Sequence, residues 1–395
     1  MLVQRKGFLK MLEPDIYFDN AATTMVKKEV VEKISNLLVN HSANPSALHK
    51  LGIAAKKILE NSRGIVSRVI NCESNEFVFT SSGSESNMIA ILGAIKPKFR
   101  NGNRIITSAV EHKSVLTCCK KLESLGYEVL YVKPKSNGEL PVSDFEELVN
   151  EKTMLVSVMQ VNNETGDIYP IENIVRAVKK KNSNTLFHCD AAQSIGKLDC
   201  DVKKLGVDVM SFSGHKIGAP QGIGGLFVKS GLKFCLVEGG TQEFGIRMGT
   251  ENLSGVVGLA EVFKLLNPSE IKKRLETVEL LKGTLVEELA KFQEVKINSS
   301  PGALPYVLNF SVLGVPSQLL VNRLGQDGVF IGSGAACSQK SKSHVLKALG
   351  LQNNIVESAV RISFFYDNTL EEVLRFVKIL KNAICEIRSN STRRV

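Results

Sequence analysis

No uninterrupted apolar segment of the chain approaches the ~18–20 residues that a membrane-spanning helix needs. The basic N-terminus, Met1–Lys10, holds no apolar run long enough for a signal peptide and reads as an extension ahead of Met11. None of the eight cysteines, at 72, 118, 119, 189, 200, 235, 337 and 385, forms a Cys-x-x-Cys pair. Zinc ribbons and thioredoxin-type redox sites therefore lack their signature. The cysteine fraction is also far below that of a disulfide scaffold. Internal repeats and low-complexity linkers are missing as well. These absences lead to the expectation of a soluble cytoplasmic protein, with no membrane partner and most thiols reduced in the core.

What is present is ordinary in bulk. A length of 395 residues, 43% hydrophobic and 23% charged, suits two domains with a sizeable core. The excess of 50 Lys+Arg over 40 Asp+Glu gives a net +10. Such a charge suits nucleic acid, an anionic cofactor, anionic substrates or solubility alone, and composition does not choose among them. The Lys pairs, such as Lys56-Lys57 and Lys120-Lys121, are scattered along the chain.

From Asp19 to about Thr250, short β-rich apolar runs alternate with helical patterns. The runs are 77–80, 104–107, 129–132, 155–159, 186–189 and 209–212, closed by a glycine-rich strand at 222–228. Near-continuous apolar strands separated by helices imply a mainly parallel sheet covered on both faces. After about Gly255 the pattern changes to two helices, then strands at 307–312, 329–331 and 360–364 around a helix near 318–324. Residues 307–312 alternate like a half-buried strand. Thr369 with Glu372 three residues on is a capping-box pattern opening the last helix. The expected fold class is α/β: a large domain, 20–254, with a mainly parallel sheet of seven-stranded type between helices, and a smaller α+β domain, 255–395. Residues 11–19 are expected to pack on the smaller domain.

The chemistry concentrates at strand ends. Asp190-Ala191-Ala192-Gln193 is followed, 26 residues after the Asp, by Ser213-Gly214-His215-Lys216. Each element ends a predicted strand, so both sets can meet at the carboxyl edge of one sheet, where open α/β sheets bind ligands. An Asp facing a Lys there suggests a lysine that holds pyridoxal 5′-phosphate as a Schiff base, the Asp pairing with the pyridinium nitrogen. A plain buried Asp–Lys ion pair is the competing reading. Ser81-Ser82-Gly83-Ser84 follows strand 77–80 and opens a helix, a place for a phosphate or for an ordinary Ser-rich N-cap. In the phosphate reading Gly83 and Ser84 cradle the anion, with donors added by Ser213 and His215. His112 follows strand 104–107 and could lie on a pyridine ring or simply cap a helix, and Asn163 is a loop residue after a strand.

Taken in order, these segments resemble the class V aminotransferase group of fold-type I pyridoxal-phosphate enzymes. The likeness sharpens to cysteine desulfurases of the housekeeping, iron–sulfur-assembly type. It is carried by Tyr17–Thr24, Asn44-Pro45-Ser46, Glu111-His112-Lys113, Val161-Asn162-Asn163-Glu164, Asp190–Gln193, Ser211–Lys216, Arg247-Met248-Gly249-Thr250, Gly332–Cys337 and Arg361-Ile362-Ser363. The resemblance implies that Lys216 holds the cofactor and abstracts the substrate α-proton. It implies that Asp190 pairs with the ring nitrogen, Gln193 bonds the ring oxygen, His112 stacks on the ring and Asn163 lies beside it and the substrate. Gly83, Ser84, Ser213 and His215 would hold the phosphate, joined by Thr250 from the second subunit of a homodimer. Arg361 would clamp the carboxylate of L-cysteine bidentately.

Cys337 separates a desulfurase from a transaminase. It lies in Gly332-Ser333-Gly334-Ala335-Ala336-Cys337, a run of small residues that leaves a thiol accessible, although a buried structural Cys is the ordinary alternative. In the resemblance its thiolate takes the sulfur of cysteine as a persulfide and hands it to acceptor proteins such as an iron–sulfur scaffold. No resident metal is implied, though Cys337 could transiently ligate an iron–sulfur cluster, and no direct nucleic-acid binding is expected. A class V aminotransferase or selenocysteine-lyase-like enzyme would need Lys216 without Cys337, and a non-catalytic sulfur-relay scaffold predicts erosion among Lys216, Asp190, His112, Gln193, Arg361 or Cys337, of which the sequence shows none. Two departures from the family pattern stand out: Phe244 replaces an expected Arg and Met88 an expected Asn.

Overall fold

The computed structural model describes residues 16–40, 43–95, 102–232, 234, 242–333 and 342–392. The chain forms two compact units, one of Thr23–Asn163 and Asp167–Arg274, the other of the residues up to Ala22, Glu164–Gly166 and Leu275 onward. The change of unit at Arg274/Leu275 thus falls later in the chain than the expected boundary at 254/255.

The larger unit is built on a seven-stranded sheet of β2 (Phe77–Thr80), β3 (Arg104–Ser108), β4 (Glu128–Val132), β5 (Thr153–Met159), β6 (Leu186–Asp190), β7 (Val209–Ser213) and β8 (Gly224–Val228). Their spatial order is β2-β8-β7-β6-β5-β3-β4. The pairs β4/β3, β3/β5, β5/β6 and β6/β7 are parallel, and β8 runs antiparallel to both β7 and β2. Every residue of β5, β6, β7 and β8 is buried. Runs such as Leu155-Val156-Ser157-Val158 are apolar nearly throughout because both faces are covered, the pattern of a parallel sheet between helices.

The helices of this unit are α1 (Lys28–Asn40), α2 (Lys50–Val69), α3 (Gly83–Ile95), α4 (Lys113–Ser124), α5 (Val142–Leu148), α6 (Ile171–Lys181), α7 (Val202–Leu205) and α8 (Leu253–Lys264). Helix α6 shows how sequence makes them. Ile171, Ile174, Val175 and Val178 form one buried stripe at helical spacing, Glu172 sits in the first turn, and Lys179, Lys180 and Lys181 sit in the last. Those charges complement the helix dipole at both ends.

The smaller unit carries α9 (Pro268–Leu289) from Leu275 on, α10 (Ser317–Gln326), α11 (His344–Ala348), α12 (Asn353–Glu357) and α13 (Leu370–Thr392). Its sheet has the order β1 (Ile16–Phe18), β11 (Val329–Ser333), β12 (Ala359–Ser363), β10 (Val307–Val312) and β9 (Val295–Ile297). Strand β1 joins it in parallel with β11. At α13 the capping box forms as expected: Glu372 accepts the Thr369 amide at 2.7 Å, and Thr369 Oγ1 accepts the Glu372 amide at 3.2 Å.

One expectation fails. Strand β10 is buried along its whole length, not on one face. Its polar positions are tolerated because each is bonded: Asn309 donates to the Glu164 carbonyl at 3.2 Å and Ser311 to the Ile355 carbonyl at 2.7 Å. Of the cysteines, 72, 118, 119, 189 and 200 are buried and free, Cys385 is exposed and free, and 235 and 337 lie outside the described residues.

Candidate active site

Five loops leave the carboxyl ends of strands that run the same way in the large sheet. They follow β2 (Ser81–Gly83), β3 (Ala109–His112), β5 (Gln160–Asn163), β6 (Ala191–Gln193) and β7 (Gly214–Lys216). Ligand-binding groups collect at this edge in open α/β sheets. The topology therefore brings Gly83, Ser84, His112, Asn163, Asp190, Gln193, Ser213, His215 and Lys216 to one side of the unit.

Asp190 ends β6 and is buried. Its Oδ1 accepts the Ala192 amide at 2.9 Å and its Oδ2 accepts the Asn87 side-chain amide at 2.7 Å. Each oxygen is thus fixed by one donor and keeps acceptor capacity, which suits a carboxylate that must receive a proton-bearing ring nitrogen. In the adjacent loop, Gly214–Lys216 form a 3₁₀ turn that starts straight from β7. Gly214 is needed there, because a Cβ would stand 2.9 Å from Ile223 Cγ2. Lys216 is half-buried at the end of that turn.

The start of α3 offers a cradle for a phosphate. Ser213 Oγ is buried with no hydrogen-bond partner among the described residues. Gly83 begins α3 so close to it that a Cβ on Gly83 would lie 3.1 Å from Ser213 Cβ. The first N–H groups of a helix have no intrahelical partner, and an anion satisfies them together with an orphaned hydroxyl. His215 adds a neutral imidazole: burial, aided by neighbouring Lys216, pushes it down to about 4. Its Nδ1 lies 3.1 Å from Thr23 Oγ1. Ser84 is exposed on the first turn. These groups fit the phosphate end of pyridoxal phosphate.

His112 is the N-cap of α4, its Nδ1 accepting the Ser114 amide at 3.2 Å. The capping and the ring-stacking readings are therefore compatible, since capping uses one ring nitrogen and leaves the ring faces unused. Glu111 beside it is fully buried and takes Ser108 Oγ at 2.5 Å and the Met159 amide at 3.0 Å. Burial pushes its carboxyl up to about 8, against those two bonds and with help from Asp190. Buried Gln193 accepts a bond from Lys197 at 3.3 Å. Asn163 is half-buried after β5.

In the smaller unit Arg361 lies on β12, buried, and donates to Asp19 Oδ1 at 2.8 Å. Its guanidinium runs over Gly332, where a Cβ would sit 3.0 Å from Arg361 Nη2 and 2.8 Å from Asp19 Oδ1. Gly332, on the strand that leads toward position 337, makes room for that ion pair. Cys337 itself lies outside the described residues. Thr250 is exposed and follows Gly249, whose φ of +96° requires glycine.

The sequence alone assigned no role to Asn87, Ser114, Ser157, His188 or Ser211. The available signal was positional: His188 precedes Asp190 by two residues on β6, as Ser211 precedes Ser213 on β7. Alternate strand residues share a face, so each polar partner accompanies a site residue.

The Aminotransferase class-V profile matches residues 16–376. A Clostridium botulinum protein named cysteine desulfurase IscS is 36% identical over 389 residues, 96% of this chain and 97% of the relative. Among solved structures, a NifS-like protein superposes with TM-score 0.88 at 35% identity, over 94% of this chain and 99% of the other. A structure described as SspA in complex with cysteine has TM-score 0.78 at 32% identity, over 90% and 100%.

Proposed function

Because this chain belongs to the class-V aminotransferase family, we propose that it is a pyridoxal-phosphate-dependent cysteine desulfurase. It converts L-cysteine to L-alanine and takes the sulfur onto Cys337 as a persulfide. The observation that carries this reading is the pairing at adjacent strand ends: a buried, doubly oriented Asp190 after β6 and Lys216 after β7. When bound, the cofactor supplies an electron sink for negative charge developing on the substrate carbons.

The protein's own groups do the rest. Asp190 would hold the ring nitrogen, Gln193 the ring oxygen and His112 the ring face, with Asn163 beside them. Gly83, Ser84, Ser213 and His215 fix the phosphate. Lys216 anchors the cofactor and moves the substrate α-proton, while Arg361 orients the carboxylate. The Cys337 thiolate attacks the substrate sulfur; an S–S bond forms, the Cβ–S bond breaks, and its electron pair takes a proton to give alanine.

The complete site needs a second copy of the chain, whose Thr250 joins the phosphate. Exposed Leu48, Leu51, Ile53, Phe244 and Met248 support such a homodimer. The net charge of +10 supports an acidic sulfur acceptor, of which an iron–sulfur scaffold is one kind. Mixing the protein with L-cysteine and a thiol reductant should yield sulfide and alanine in equal amounts. Cys337→Ala should abolish both while retaining the visible absorbance of lysine-bound cofactor. Sulfide release persisting in Cys337→Ala overturns the persulfide route and favours a selenocysteine-lyase-like enzyme.

A further inference from the structure

Asn87 lies on the buried face of α3 and contacts Asp190, Ser114 and Ser211. A carboxylate only accepts, so the side-chain nitrogen of Asn87 must face Asp190 Oδ2. That nitrogen spends its second N–H on Ser114 Oγ at 2.9 Å. Ser114, accepting there, turns its own proton to His112 Nδ1 at 2.8 Å. Because the same Nδ1 also accepts the Ser114 amide, the proton of a neutral His112 sits on Nε2.

The polarity extends backward from Asn87. Its Oδ1 is an acceptor, so the close contact with Ser211 Oγ requires the Ser211 hydroxyl to donate. Ser211 Oγ must then accept from His188 Nε2 at 3.0 Å, and His188 Nδ1 accepts from Ser157 Oγ at 2.8 Å. The opposite His188 tautomer would leave two acceptors facing each other between Ser211 and Asn87. Ser157, His188 and Ser211 are fully buried, and burial pushes His188 down to about 4 against the pull of Asp190, so it is a neutral donor. The relay is possible because β5, β6 and β7 place Ser157 opposite His188 and Asp190 opposite Ser211.

We propose that Asn87 is a positioning residue that closes a one-directional hydrogen-bond relay, running from buried Ser157 and His188 to Asp190 and His112. Bonds aligned in one sense polarise one another. The relay therefore presents Asp190 as an oriented carboxylate and His112 with Nδ1 occupied and Nε2–H outward. That these two residues face the cofactor rests on the proposed function; the direction of the relay does not.

The first test is ¹⁵N NMR of histidine-labelled, cofactor-loaded protein near neutral pH, with the two ring systems assigned by His112→Gln and His188→Asn. The expected result is that His188 is neutral and protonated at Nε2, and that Nδ1 of His112 acts as a hydrogen-bond acceptor. A His188 protonated at Nδ1, or doubly protonated, overturns the relay whatever the cofactor does. The second test follows the pH midpoint of the visible band of Lys216-bound cofactor. Asn87→Ala should shift it by about half a unit or more, and Ser157→Ala, which touches neither Asp190 nor His112, should shift it less and in the same sense. Midpoints unmoved in both variants, with cofactor still bound, overturn the proposal. A wild-type protein with no visible band refutes the cofactor reading, and the same NMR measurement on the cofactor-free protein then decides the relay alone.

Discussion

Glu111 and His112 are neighbours in one motif, yet they have opposite environments. His112 reaches its cap at a helix start, while Glu111 is enclosed and stays protonated up to about 8. An unfolded Glu ionises near the ordinary value of 4.5, so between about 4.5 and 8 the folded chain holds a proton that the unfolded chain has lost. Stability contributed by this group is fully present below that window and falls as pH rises through it. Glu111→Gln removes the titration. Urea unfolding at fixed ionic strength should show the variant gaining on wild type from pH 5 to pH 8, with a slope of at most about 1.4 kcal/mol per pH unit. A stability difference that stays flat across the window would sink this account. At this scale the sequence draws notice to Lys216, Asp190, His112 and Arg361 because each stands in a run that resembles a family motif. Asn87, His188, Ser157 and Ser211 receive no role from the sequence, because each is an ordinary polar residue whose relay partners lie far off in sequence. Only the register of β5, β6 and β7 makes them a set.

Elements were legible where one local pattern decides them. The capping box of α13 and the apolar runs of β5 to β7 are local facts. The full burial of β10 is not, since its alternation hides the bonds that Asn309 and Ser311 make to distant carbonyls. The turn before Thr250 is another such case. Glu243 and Phe244 both have positive φ, 46° and 58°, a conformation costing of order 1–3 kcal/mol for each non-glycine residue. The turn is held by buried Arg63, whose Nη1 and Nη2 meet the Glu243 carboxylate at 2.7 and 2.9 Å. Glu243 also accepts the Phe79 amide at 2.7 Å, which ties the turn to β2. Phe244, where an Arg was expected, instead lays its ring 5.0 Å from the Arg63 guanidinium. Arg63→Met leaves Glu243 buried and uncompensated, so it should cost about 3–5 kcal/mol in urea unfolding. Adding Glu243→Met should recover part of that loss. A cost below about 1 kcal/mol for Arg63→Met would mean that the ion pair does not hold the turn.

At the scale of the whole molecule, the residues named in the proposed function are divided between the two units. The larger unit carries the cofactor groups, and the smaller carries Arg361 and, by sequence, Cys337. Thr250 lies in the larger unit but is exposed, in the segment that the Arg63–Glu243 pair anchors. In the proposed function this exposed hydroxyl is assigned to a phosphate held by a second chain, and subunit mixing tests that assignment. Thr250→Asp sets a negative charge beside the phosphate it would otherwise hold, and Lys216→Ala removes the anchor. Each variant alone should be nearly inactive. If Thr250 acts across the dimer, a hybrid of the two variants contains one site with Lys216 and Thr250 both intact, supplied by different chains. Refolding or co-expressing differently tagged chains should then restore sulfide release to about half of wild type per dimer, one of the two sites of a C₂ dimer being whole. If Thr250 serves the site of its own chain, every site in the hybrid carries a defect and no activity returns. Restoration thus requires both the dimer and the exchange of Thr250 between its subunits, and a hybrid as inactive as its parents removes the shared site from the mechanism.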